Sequence, residues 1–289
     1  MKKIILVLTL LLTTQLLFSQ KTILWRVIDT VNNKTSTIIG TVHQMGNTFI
    51  DSIPEIQENL YNSELAIFES ITNEKPENNS IQNRKRTLEI ERILSKTEIK
   101  ELSELYIDFD ILYKLKPIEL RWKLAQTFFR TKCNALNTKD NWDNIDDYLK
   151  FLAKEHNIRL FALESQKEQL EFINKANNYP SWEDEKKKIH YWIRQLKSEN
   201  PNLSHCNSLK KYKDFDINYQ FKKNCSNNLL TKQRNENWLK ILPKLLRKKN
   251  CFIAVGINHL LNDCGLIVQL KLKGFKVQPI NIRPAGNKS

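Results

Sequence analysis

Short runs of consecutive apolar residues, each ended by a glycine or a glutamate, punctuate a chain whose other apolar positions recur with helical spacing. Leu24-Trp25-Arg26-Val27-Ile28 reads as a strand, Asn32-Asn33-Lys34 as a turn, and Thr35 to Ile39 as a second, β-branched strand that ends at Gly40. Leu65-Ala66-Ile67-Phe68 is an unbroken apolar run, as in a strand buried on both faces, and Glu69 follows it directly. Ile158 to Leu163 ends in Glu164, Cys251 to Val255 ends in Gly256, and Phe275 to Ile282 reads as a final strand. Between these runs the period is helical. Ile53 to Asn62 carries Pro54 at a first-turn position. Successive helices are expected from Arg84 to about Leu136, and Trp142 to Glu155 has Ile145, Tyr148, Leu149 and Leu152 on one face. Lys232 to Leu246 reads as one amphipathic helix, and Cys264 to Lys273 as another with Gly274 as its C-cap. Asn73 to Asn83 and residues 199–228 are polar, and the tail from Arg283 is expected to fray.

Strands alternating with helices predict an α/β fold with a central, largely parallel sheet. Long helical insertions are expected at about 84–140 and 170–230, within one domain spanning residues 21–289. Residues 1–20 are set apart. Lys2 and Lys3 form a basic start, Ile4 to Phe18 an apolar stretch too short for a spanning helix, and Ser19-Gln20 a cleavage neighbourhood. This is the pattern of a signal peptide. It predicts export to the periplasm or beyond, with no transmembrane span once it is removed.

Composition changes this picture in three places. The 289-residue chain carries 46 Lys+Arg against 32 Asp+Glu, a formal net charge of +14. Such an excess raises nucleic acid, anionic membrane and acidic ligands as partners. The lysines are scattered, however, and the densest runs, Lys186-Lys187-Lys188 and Arg247-Lys248-Lys249, read as solvated helix faces. Nucleic acid is therefore not expected, and peripheral attachment to an anionic envelope is the electrostatic partner retained. Glycine is scarce, with six residues, and Gly40, Gly46, Gly256, Gly265 and Gly274 fall in two short segments. The five cysteines lie in a compartment that permits disulfides. Cys206 with Cys225 is the most attractive pair, and the odd count leaves a free thiol.

Four polar residues share one local context. His43 ends Ile38-Ile39-Gly40-Thr41-Val42-His43, a strand followed by G-x-x-H, and His259 ends Ile253-Ala254-Val255-Gly256-Ile257-Asn258-His259 in the same way. Glu69 and Glu164 each follow a strand and precede a serine. The order His, Glu, Glu, His suggests two pseudo-symmetric halves, each giving a G-x-x-H and a strand-end Glu. In one parallel sheet all four side chains emerge at one edge. Two imidazoles and two carboxylates there make a divalent-metal site, better suited to Zn, Mn, Co or Fe than to Mg or Ca. An open position would hold a water of lowered pKa, and a carboxylate not bound to the metal would take its proton. A lone G-x-x-H is weak evidence, but only five histidines exist, and two occupy matching contexts that use scarce glycine. His156, His190 and His205 lack that context and read as surface residues. Arg234-Asn235 reads, on the local pattern alone, as part of a solvated face with Lys232 and Lys240. Its functional reading is a guanidinium aimed at a substrate carboxylate or oxyanion.

Together these pieces resemble the TraB/PrgY/GumN family, which includes the Tiki-type proteases. The resemblance rests on Leu24-Trp25-Arg26 with Ile39-Gly40-Thr41-Val42-His43, and on Ile145-Asp146 to Glu164-Ser165 with Gln169. It also rests on Arg234-Asn235, Phe252 to Leu260, Gly265-Leu266, Gly274-Phe275 and Val277. It spans about residues 24–282 in order. It implies an α/β core related to the erythromycin-esterase-like and ChaN-like proteins, and a divalent-metal hydrolase site at His43, Glu69, Glu164 and His259. It places Arg234 and Asn235 nearby, as substrate-binding residues. Tiki-type members imply metal-dependent proteolysis near a substrate N-terminus. Ser165 stands where Thr is common and Asn258 where a small residue is common, and the 199–228 region is unusually polar.

The functional expectation is an exported metal-dependent hydrolase, a peptidase with Mn, Co or Zn as its ion. His43 and His259 bind the metal with Glu69, Glu164 or both, Glu69 or Glu164 is the base, and Arg234 orients a peptide or small-molecule substrate. The alternative is a non-catalytic protein that captures a peptide, small ligand or metal complex in the same cleft.

Overall fold

The computed structural model of the chain describes residues 21–71, 80–225 and 229–282. The expected signal peptide, most of the polar loop after Asn73 and the tail from Arg283 lie outside the described residues. The strands are β1 (Leu24–Asp29), β2 (Lys34–Thr41), β3 (Leu65–Phe68), β4 (Arg159–Ala162), β5 (Cys251–Gly256) and β6 (Lys276–Pro279). They form one sheet in the order β4-β3-β5-β2-β1-β6. β1 and β2 are an antiparallel hairpin turning at Asn33, whose φ of 50° suits an Asn in the left-handed region. β2, β5, β3 and β4 run parallel to one another, and β6 pairs antiparallel with β1. The α/β fold with a mostly parallel sheet is therefore present. The final strand is shorter than its apolar run suggested.

The register aligns the strand ends. Thr41 lies beside Gly256, and Phe68 lies beside both Ala254 and Ala162. The four parallel strands therefore end at nearly one level, and residues just past those ends gather at the carboxyl edge of the sheet.

The helices are α1 (Asn47–Asp51), α2 (Pro54–Tyr61), α3 (Lys96–Leu105), α4 (Phe109–Leu112), α5 (Pro117–Lys132), α6 (Ile145–Glu155), α7 (Gln166–Ala176), α8 (Trp182–Lys197), α9 (Asn207–Lys213), α10 (Arg234–Trp238), α11 (Leu242–Leu246) and α12 (Leu266–Leu272). One face of the sheet, through Ile39, Ala66, Phe68 and Ala254, packs on Ile56 and Leu60 of α2 and Ile145 and Leu149 of α6. The other face, through Trp25, Ile38, Ile67 and Ile253, packs on Trp238, Leu242, Leu266 and Leu270. A third core lies among the insertions, where Leu120, Leu124 and Phe128 of α5 meet Ile189 and Ile193 of α8.

Local chemistry fixes several boundaries. Asn144, not Trp142, begins α6, because its side chain accepts from Asp146 N and Asp147 N. Ser165 and Glu168 form a capping box at α7. Gly274, at φ 91°, follows the last turn of α12 as expected for its C-terminal stop. The long amphipathic helix expected over Lys232–Leu246 is broken in two. Pro243 sits in the first turn of α11 and cannot donate to the carbonyl four residues back, so the helix cannot pass through it. A π-helical turn, Leu229–Gln233, leads into α10.

The disulfides also differ from expectation. Cys206 pairs with Cys133 (Cα–Cα 5.2 Å) and Cys225 with Cys264 (Cα–Cα 5.7 Å), while Cys251 is free and buried. Cys133 caps the C-terminus of α5 beside Cys206, and Cys225 N donates to Asp263 Oδ1 next to Cys264. Both partnerships are tertiary, and polar composition along the chain does not encode them. No helix among the described residues is long and apolar enough to cross a membrane.

Candidate functional site

The two G-x-x-H segments are interlocked. A Cβ on Gly40 would lie 2.3 Å from Ile257 Cδ1 and 3.1 Å from Ile257 Cα, so the missing side chain leaves room for the 3₁₀ turn Ile257–Leu260 that carries His259. A Cβ on Gly256 would lie 3.2 Å from Glu69 Oε1, 3.6 Å from His43 Nε2 and 3.8 Å from His259 Cδ2. Gly256 is thus the floor on which both histidines and one glutamate converge. Each glycine is small because the other motif's turn or imidazole stands over it.

Each imidazole is tied back through Nδ1. Asp146, in the first turn of α6, accepts from His43 Nδ1 through Oδ2 and from Thr41 Oγ1 through Oδ1, the latter at 2.9 Å. Asn235 donates through Nδ2 to His259 O at 3.0 Å and Cys264 O at 2.9 Å. Its Oδ1 must then accept, and it meets His259 Nδ1 at 2.7 Å. His259 is therefore the Nδ1–H tautomer, with its Nε2 lone pair directed inward. Burial, with Arg234 nearby, outweighs Glu69 and depresses His259 to about 3, so it is neutral. Burial also opposes charge on His43, but the Asp146 carboxylate overrides it and lifts this imidazole to about 9. His43 is 38% exposed, in the cleft, whereas Asp146 is 10% exposed.

Arg234 joins the remaining groups. It is 7% exposed and Asn235 1%, so the solvated-face reading of this pair is wrong. The π turn before α10 and the packing of Trp238 rotate both residues inward, an outcome of tertiary packing that the local polar pattern does not show. Arg234 Nη2 donates at 2.5 Å to Glu69 Oε2 and to Glu164 Oε1, Nε donates at 3.1 Å to Glu164 Oε2, and Nη1 lies 3.0 Å from His259 Nε2. Trp238 Nε1 donates to Glu164 at 3.2 Å, and its ring lies 4.3 Å from that of His259. Glu69 Oε1 accepts from Gly256 N at 2.6 Å and stands 3.7 Å from His259 Nε2, while Gln169 Nε2 donates to Oε2 at 2.9 Å.

These surroundings drive the two carboxyls apart. Burial opposes ionisation of Glu69, but His259, Arg234 and His43 overcome it and hold the group far below the ordinary carboxylate range. Burial dominates at Glu164 and raises it, despite Arg234. All four strand-end residues reach the same edge, but they are not equivalent. His43, Glu69, His259 and Arg234 line a cavity of about 730 Å³, whereas Glu164 joins the cluster from behind through Arg234.

Among the described residues, Cys225, Asp263 and Cys264 bring metal-type donor atoms within 4.8 Å of one another, and their thiols are consumed by the disulfide. The His43, Glu69 and His259 donors converge more loosely, with a guanidinium nitrogen on the His259 lone pair. Of the other histidines, His156 is exposed, as expected. His190 and His205 are half-buried, and they hydrogen-bond to Ile93 O and Tyr191 Oη. Asp146 is the residue that pattern reasoning left without a role. Its signals in the sequence are its place in the Ile145-Asp146 segment of the resemblance and an ordinary acidic first turn after Asn144.

A model of the TraB/PrgY/gumN family matches residues 23–279. No curated protein and no solved structure matches the chain.

Proposed function

The chain belongs to the TraB/PrgY/gumN family, and on that footing we propose that it is an exported, metal-dependent hydrolase acting on peptides. One observation carries the reading. Two imidazoles from matching turns are each anchored through Nδ1, one by a carboxylate and one by an amide, and converge on Glu69 over a glycine floor. Metal-binding histidines are oriented in this way, with the second nitrogen donating to an outer partner. The donor set also fits: a neutral His259, an anionic Glu69 and a cleft-facing His43, which Asp146 lifts to about 9 and whose Nε2 proton an ion would have to displace, form an N/O set of the kind that divalent transition metals take. His43, Glu69 and His259 would hold the ion, with Mn, Co or Zn the expected metals. A bound ion would supply Lewis acidity and a water of lowered pKa.

The remaining residues position and bind. Asp146 and Asn235 fix the two rings. Glu164 and Trp238 hold Arg234 at the cavity wall, where the guanidinium meets a substrate carboxylate or a carbonyl oxygen gaining charge. Glu164 is assigned here to positioning, because it does not line the cavity. Export is supported by the apolar, lysine-led leader in residues 1–20, which lies outside the described residues.

A second reading is favoured by one contact. Arg234 Nη1 occupies the His259 lone pair that a metal would use. If the guanidinium stays there, the cleft captures a peptide, a small ligand or a metal complex and releases it unchanged. A peptide-library cleavage assay with Mn, Co or Zn separates the two readings. The hydrolase reading expects cleavage by wild type that is lost on chelation and in a folded His43→Ala variant. Equal cleavage by that variant would overturn it, and binding without turnover would leave the second reading.

A further inference from the structure

The cavity has a second wall that this chemistry does not use. Trp122, Ala125, Gln126 and Phe129 fall on one face of α5, one helical turn apart, and line the cavity. Another face of α5, through Leu120, Leu124 and Phe128, is fully buried in the helical layer. The helix thus carries one buried apolar stripe and, toward the cavity, a second stripe in which Trp122, Ala125 and Phe129 flank the polar Gln126. Trp192 of α8 also lines the cavity, and its ring is held 5.3 Å from Phe128 and 4.9 Å from His205.

The charges around this wall are already matched. Arg121 pairs with Glu185 at 2.5 Å, Arg130 with Asp143 at 2.9 Å and Lys150 with Asp147 at 3.0 Å. Partly wetted aromatic rings around a small alanine, with the neutral Gln126 beside them and paired charges at the rim, are complementary to an uncharged, bulky side chain and offer little to an ionic one. Across the same cavity stand Glu69, Arg234 and the two histidines.

We propose that the Trp122–Ala125–Phe129 face, with Trp192, is a side-chain subsite that takes one bulky apolar residue of a peptide whose backbone lies at the sheet edge. Ala125 sets its depth. The subsite presupposes that the cleft takes peptides, as in the proposed function, but what it adds is selection among them.

The test uses free pentapeptides Ala-Ala-X-Ala-Ala, with X as Phe, Leu, Ala, Glu or Lys. Binding to the purified full chain is measured by titration calorimetry, and cleavage is followed by mass spectrometry on the same samples. The Phe and Leu peptides are expected to bind about tenfold or more tightly than the Ala, Glu and Lys peptides. Ala125→Phe fills the subsite and removes that preference. Trp122→Ala opens the wall and weakens the Phe peptide about tenfold, so either variant decides the matter. Equal affinity for every X, or no binding of any, overturns the subsite. Selective binding without cleavage, in samples reconstituted with Mn, Co or Zn, upholds the subsite and counts against the hydrolase. Cleavage without selectivity does the reverse.

Discussion

Asn235 shows how much one side chain decides. By donating to two carbonyls it is left with one acceptor, which sets the tautomer of His259 and turns Nε2 toward the cavity. Asn235→Ala should therefore lower metal affinity and activity by about 10- to 100-fold. The two orphaned carbonyls should cost about 1–3 kcal/mol of stability, read by denaturant unfolding. Unchanged metal affinity in a folded variant would show that the ring needs no such anchor. The sequence offers Asn235 as part of a solvated face or, by resemblance, as a substrate-binding neighbour of Arg234; its role as the anchor of His259 is not written there, because only packing turns the helix inward. His43, Glu69, Glu164 and His259 were legible for the opposite reason. Each glutamate directly follows an apolar run, and each histidine follows one through a G-x-x-H, so the strand end and the polar residue lie close together in the chain.

At the scale of elements, α5 carries a structural load as well as the proposed subsite. Its Glu119 is 3% exposed and receives Arg84 at 2.6 and 3.1 Å, Asn174 at 2.9 Å and Lys116 N at 2.9 Å. Burial alone would raise this carboxyl, but these donors, Arg84 foremost, hold it below its ordinary value of 4.5. A lowered folded pKa means that Glu119 contributes stability above about pH 4.5, lost as the pH falls through the lower folded value. Glu119→Gln should cost about 2–3 kcal/mol near neutrality, because it weakens a largely buried pair, and should flatten the acid limb of the stability curve. A variant as stable as wild type at pH 7, with the same acid limb, would contradict this account. The element boundaries that went astray share one cause. Hydrophobic period sees a face but not Pro243, which splits the last amphipathic stretch into α10 and α11.

At the scale of the molecule, two disulfides tie different layers, and only one lies near the site. Cys133–Cys206 closes a sequence separation of 73 residues in the helical layer. Cys225–Cys264 closes one of 39 residues and holds the segment whose Cys264 carbonyl receives Asn235. Replacing either pair by serine should cost about 2–5 kcal/mol. Only Cys225→Ser/Cys264→Ser should also reduce activity and metal affinity. Equal activity loss in both pairs would mean that the effect is global destabilisation. The pairing partners were not readable from the chain, because each cysteine meets its mate through packing between distant segments. The α/β layering was readable, because strand runs and helical spacing are local.

The central claim is that His43 and His259, from two interlocked turns, hold a metal with Glu69. Elemental mass spectrometry of purified protein after reconstitution, wild type beside His43→Ala/His259→Ala, tests it most directly. The account predicts near-stoichiometric Mn, Co or Zn in wild type and none in a folded double variant. Folded wild-type protein that holds no metal, or a double variant that holds as much as wild type, would contradict it.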